Sequence, residues 1–168
     1  MLVLDEAVPR ASALRRLYED WRARLKGGRF PKRSAFDPAD LAYILGGLSL
    51  FEVHREPLRF RCRVHGTSVA GILGHEFTGK FLDQGAGGKY LDLVRAHFVD
   101  VVTTERPSLA LHEDVIDGFT VWAAEALVLP LSRDGDALDL LLSAVVHHKR
   151  AELSELCAPS SRLIPLTA

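Results

Sequence analysis

LRFRCRVHGTSVAGILGHEFTG, residues 58–79, is the stretch on which the reading of the fold turns. It opens in strict alternation: Leu58, Phe60, Cys62 and Val64 point one way, and Arg59, Arg61, Arg63 and His65 the other. Side chains in a strand repeat every two residues, so this is a strand with one face for a core and one for water. Gly66 breaks it, Thr67 is placed to cap a helix, and Ser68 to Leu73 make a short helical turn that Gly74 stops. Gly79 closes the unit.

Upstream, Leu48 to His54 reads as a strand, and Arg55-Glu56-Pro57 turns it into the Leu58 strand, giving a hairpin. Before it, Asp37-Pro38-Ala39-Asp40 is a helix start: Asp37 as N-cap, Pro38 where a missing N–H costs nothing, Asp40 near the positive helix end. That short helix ends at Gly46-Gly47. Further back, Leu14, Leu17, Tyr18, Trp21 and Leu25 form one stripe of an amphipathic helix from about Pro9 to Lys26, with Asp20 and Arg24 one turn apart. Downstream, Lys89 to Glu105 is a second long helix, stopped by Pro107 and apolar along Tyr90, Leu93, Val94, His97, Phe98 and Val101. Three strands follow: Ser108 to Ile116, Phe119 to Leu131 across the Asp117-Gly118 turn, and Ala137 to His147 after Ser132-Arg133-Asp134-Gly135. Residues 149–168, with Pro159 and Pro165, read as a ragged helix or tail.

This order predicts an α+β fold: a five-stranded antiparallel sheet, a helical crossover on one face and an N-terminal amphipathic helix. Leu127-Val128-Leu129 and Leu140-Leu141-Leu142 are apolar on both faces, so the last two strands are central. The arginine-bearing strand suits an edge, and the first and last strands sit side by side. Residues 1–36 are then an N-terminal helix and loop, 37–148 the sheet domain and 149–168 the tail.

At 168 residues, 48% of them apolar and 26% charged, the chain has the size and balance of one globular domain. The apolar runs are too short for a membrane span, and Met1 to Arg10 carries Asp5 and Glu6 and lacks a signal-peptide pattern. Two cysteines far apart, Cys62 and Cys157, make no disulfide framework, which suits a reducing cytoplasm. Residues 1–33 hold nine Lys and Arg against four acids, +5, which leaves −6 in the rest of a chain whose net charge is −1. No RNA-binding motif or recognition helix accompanies the basic segment, so it reads as a solvated face and loop rather than a nucleic-acid site.

The arrangement is similar to the PAS fold: two strands, short helices, one long helix and three strands. RFRCRVHGTSVAGILGHEFTGKFLD resembles the strand, glycine and G…TG segment of PAS domains. More narrowly, Trp21, GRFPKRSAFDPADL (28–41), RFRCRVHGT (59–67), FTGKFLD (77–83) and VLPLSRDGDALD (128–139) resemble a bacterial family of short, stand-alone PAS-like proteins. The resemblance implies a fold and a sensing or interaction role, and it carries over no catalytic residue.

Several motifs invite chemistry and lack its requirements. Gly74 to Lys80, GHEFTGK, fits the start of a phosphate-binding loop, but Phe81 stands where Ser or Thr must hold magnesium, and a helix precedes it instead of a strand. Gly85-Ala86-Gly87-Gly88 before the Lys89 helix reads as a connector, or as a lid over an interior cavity. His112, Glu113 and Asp114 alternate across a strand and make no triad, and His147-His148 cannot share one metal. No zinc pattern is present.

The leading expectation is a non-enzymatic module with an interior cavity lined by Phe60, Cys62, Val64, Tyr90, Val94, His97, Val101 and Trp122. It takes a small molecule, or docks a partner through the outer sheet face, and passes its signal to a separate protein. In haem-binding PAS domains a histidine on the corresponding helix ligates iron, which makes haem through His97 the one cofactor option. Leu14, Leu17, Tyr18, Trp21 and Leu25 are the candidate homodimer interface. The alternatives are a ligand-free adaptor and a small-cavity isomerase or hydrolase, with Glu125 and His97 as its only candidate titrating groups.

Overall fold

A computed structural model of the protein describes residues 9–25, 27–85, 89–116, 119–148 and 162–165, with backbone alone at 89, 112–116, 119–123 and 162–165. Helix α1 (Ser12–Ala23) comes first, followed by strands β1 (Leu48–Arg55) and β2 (Leu58–Val64). The crossover holds α2 (Thr67–Leu73) and α3 (Lys89–Thr104). Strands β3 (Ser108–Ile116), β4 (Phe119–Leu131), β5 (Leu140–His148) and β6 (Arg162–Pro165) complete one antiparallel sheet in the order β2-β1-β5-β4-β3-β6. The five expected strands are present, with β1 beside β5, β4 and β5 central and β2 at an edge.

The sheet carries a core on each face. On one side α1 lays Leu14, Leu17, Tyr18 and Trp21 over Leu127, Leu129, Leu131, Leu140 and Leu142. The Trp21 indole N–H donates to the Pro130 carbonyl at 2.8 Å, so its one polar atom is satisfied in the interior. On the other side Phe98 and Val101 of α3 meet Phe51, Phe60, Cys62, Val128 and Leu141. Phe98 packs edge-on against Phe51 and Phe60, with centroids 4.7 and 5.3 Å away. Consecutive residues such as Val128 and Leu129 are both fully buried because they enter opposite cores.

Four local expectations are corrected. The alternation of the opening strand breaks at its end: Cys62 pairs with Phe51, but Val64 pairs with Leu50, leaving Arg63 as an extra residue in a β-bulge. The bulge turns Val64 to the α1 side of the sheet and His65 into the interior, the reverse of strict alternation. Thr67 begins α2 and does not cap it; Gly66 holds the cap position, because a Cβ there would stand 2.4 Å from the Gly46 carbonyl oxygen. Asp37 to Gly47 is a run of i→i+3 turns and no α-helix, although Asp37 accepts the Ala39 N–H as an N-cap would. Three-residue spacing stacks Leu41 and Ile44 on the same core. Finally, the tail contributes β6, paired with β3 from Ser108↔Pro165 to Leu111↔Arg162. A four-residue strand ending in proline has no periodicity to read, and it forms where β3 would otherwise leave its backbone unpaired.

Candidate functional site

The interior is not uniformly apolar. Ser49 of β1 and Ser143 of β5 are cross-strand neighbours on the α3 face, and both are buried. His97 of α3, 1% exposed, His65 after the bulge and Tyr90 at the start of α3 join them around a cavity of about 30 Å³. Apolar walls come from Phe51, Val69, Phe77, Leu91, Val94 and Ala126. Among the described residues, no carboxylate, lysine or arginine lines this space.

Two of the polar groups are held from outside. Ser49 Oγ accepts the Gly66 N–H at 3.2 Å, tying β1 to the start of α2. His65 Nδ1 accepts the Phe77 N–H at 3.3 Å, which leaves the ring proton of the neutral imidazole on Nε2. Burial lowers the His65 pKa; the Glu76 carboxylate 3.4 Å from Nδ1 opposes that without reversing it. Burial also raises the pKa of Tyr90. Burial thus favours the uncharged forms of His65 and Tyr90, and the site is a hydrogen-bonding cluster inside an apolar shell. It can orient a small uncharged group, and it would penalise an ion by desolvation.

The eight residues expected at a cavity separate in space. Tyr90, Val94 and His97 line it. Phe60, Cys62 and Val101 are buried beside it in the Phe98 cluster, and burial pushes the Cys62 thiol up to about 12, with Glu76 contributing. Val64 lies on the other side of the sheet, carried there by the bulge. Trp122 stands opposite Asp114 in the β3–β4 ladder, and its side chain lies outside the described residues. Ser49, His65 and Ser143 were not singled out as cavity residues; the available signal was a serine interrupting each of two apolar strands, LSLF and LLLSAVV.

Glu125 is 3% exposed and faces α1, not the cavity. One carboxylate oxygen accepts the N–H groups of Arg10 and Ala11 at 2.8 and 3.3 Å, anchoring the two residues that lead into α1. The other oxygen is 3.0 Å from Nε2 of His148 on the adjacent strand. Glu125 and His97 thus lie on opposite faces of the sheet: of the two candidate titrating groups, His97 lines the cavity and Glu125 does not. The stripe Leu14, Leu17, Tyr18 and Trp21 is buried on the chain's own sheet with Leu25 packed at its margin, so α1 does not present it as a free dimer interface. A haem does not fit here: about 30 Å³ holds a water or two, far below the roughly 300–1,000 Å³ of ordinary ligand sites. Among the described residues, no group of His, Cys, Asp and Glu could hold a metal ion, and no helix is long and apolar enough to cross a membrane.

Residues 10–146 match the family model described as PAS domain. The chain belongs to the PAS domain family. The match begins before α1 and ends in β5, so in this PAS domain the N-terminal helix and the first turn segment fall within the matched span. No curated protein and no solved structure matches the chain. Two of the sequence motifs also meet in the fold of this PAS domain: Lys32 bridges Ser132, and the Phe30 and Arg33 N–H groups donate to Gly135 and Ser132. That contact pins the loop after α1 to the β4–β5 turn. PAS membership supports a sensory or interaction module in general terms.

Proposed function

We propose that this PAS domain is a sensory module whose cavity between α3 and the sheet takes a small, uncharged molecule, and that it signals through a separate protein. The observation carrying this reading is the convergence of Ser49, Ser143, His65 and His97 on one interior space that no charged side chain lines. Each of these four side chains brings a desolvation cost that an apolar residue in the same place would not. The ligand that matches is mostly apolar, with one donor or acceptor for the serines and His65. The short α2, flanked by Gly66 and Gly74, covers the cavity through Val69 and Leu73 and is the element whose displacement would enlarge it. The buried free thiol of Cys62 suits a reducing compartment such as the cytoplasm.

Native mass and the absorbance spectrum of the purified protein test this. The expected result is a bound small molecule in the wild type that is absent from Ser143→Leu, whose added methyl groups occupy the cavity. A bare mass and a featureless visible spectrum in both would favour a ligand-free adaptor.

A further inference from the structure

On the sheet face opposite α3, beside the sheet edge, lies an apolar groove of about 170 Å³. Leu48, Leu50 and Leu142 form its floor; Phe36, Leu45 and Val64 rise around it. Leu45 is 45% exposed and Val64 52%, and both are among the few large apolar side chains so exposed in the described residues. Val64 stands here because of the β2 bulge, and bulges commonly re-aim a side chain towards a site.

The charge around the groove is uneven. Arg33 lines it, with Nη1 donating to the Phe36 carbonyl. Arg63 precedes Val64, is half-exposed, and approaches Glu52 only to 3.7 Å. Arg133 bonds Glu52 at 2.8 Å and also reaches Asp139, while Arg61 pairs across the strand with Glu52 and donates to the Gly79 carbonyl. Arg63 and Arg133 therefore share the Glu52 carboxylate, and Arg33 stands in the groove wall itself. Two exposed acids stand on the neighbouring turn: Asp37, which accepts the Ala39 N–H, and Asp40, which lies 3.8 Å from Arg24.

We propose that this groove docks an acidic amphipathic segment of a partner protein. One large apolar side chain of that segment seats between Leu45 and Val64, and its flanking carboxylates meet Arg33 and Arg63. Concavity argues against a lipid surface, which an apolar protrusion would enter and a groove would not. A second copy is disfavoured because a two-fold contact would bring two positive rims together. The proposal goes beyond the sensory reading and holds whether or not the cavity beneath α3 is filled.

The probe is a fluorescently labelled synthetic helix with Leu and Phe at i, i+3 and i+7 and Glu elsewhere, compared with a twin carrying Lys for Glu. The wild type should bind the Glu helix in preference to the Lys twin, more weakly as salt rises. The double variant Leu45→Ser, Val64→Ser should weaken binding about tenfold or more, and Arg63→Glu should do the same while narrowing the preference between twins. Both changes lie on exposed side chains, and thermal melts verify that each variant is folded. Ser143→Leu, on the other face, should leave the peptide affinity unchanged, which separates failure here from failure of the cavity reading. No binding of the Glu helix, equal binding of the twins, or wild-type binding by the double variant overturns the proposal. So does self-association abolished by the double variant, or binding to phosphatidylglycerol vesicles in preference to the peptide.

Discussion

His65 and His147 show how single residues couple the interior to solution. Burial lowers both pKa values below the ordinary 6.5, with the neighbouring His148 adding to the shift at His147. Between those depressed values and about 6.5 the unfolded chain binds more protons than the folded one, so stability rises with pH across that window. The contribution is complete above about 6.5 and is lost as pH falls through the folded-state values. Urea unfolding should give a lower midpoint at pH 5 than at pH 7.5, with part of the difference removed by His65→Gln. Equal wild-type midpoints would contradict the burial of these rings. Asp134, held down to about 2 by the Asp136 N–H and the Ser132 hydroxyl, stays charged at both of those pH values. Of these residues, His65 was the least legible in the sequence. Alternation put it with the arginines, and only the bulge two residues earlier turns it inward.

At the level of elements, α1 followed from its sequence and its partner did not. The i, i+3, i+4, i+7 stripe fixes which side of the helix is apolar, whereas nothing local says whether that side meets the same chain or another. Packing on β4 and β5 decides it, through Trp21 to the Pro130 carbonyl and Glu125 to the N–H groups of Arg10 and Ala11 just before the helix. Trp21→Ala should therefore cost about 3–5 kcal/mol of stability in chemical denaturation, as loss of a buried aromatic does. Trp21→Phe, which keeps the packing and loses one hydrogen bond, should recover most of it. The expected change is in unfolding midpoint and not in native mass; light scattering that shows a wild-type dimer dissociated by Trp21→Ala would place the stripe at an interface instead. The hairpin β1–β2 was equally plain from alternation, but its bulge was not, because one extra residue leaves the pattern intact until the strand ends.

For the molecule as a whole, one sheet separates two cores and two candidate sites: a neutral cavity beneath α3 and an apolar, arginine-rimmed groove on the α1 side. The β6 pairing protects the β3 edge of that sheet. Removing residues 162–168 should lower amide-exchange protection across Ser108–Leu111 while leaving β1, β2 and β5 protected; unaltered exchange in β3 would show that the tail strand adds nothing. By itself the sequence determined the order of elements, the central place of β4 and β5, the edge place of β2 and the apolar side of each helix. Those features follow from periodicity and from glycine and proline punctuation, which are properties of neighbouring residues. Only the tertiary structure decided that α1 is covered by its own sheet, that Glu125 and His97 are kept apart, and that Val64 and His65 exchange faces. These depend on strand register and on contacts more than a hundred residues apart, such as Trp21 with Pro130 and Arg10 with Glu125, which no local pattern encodes.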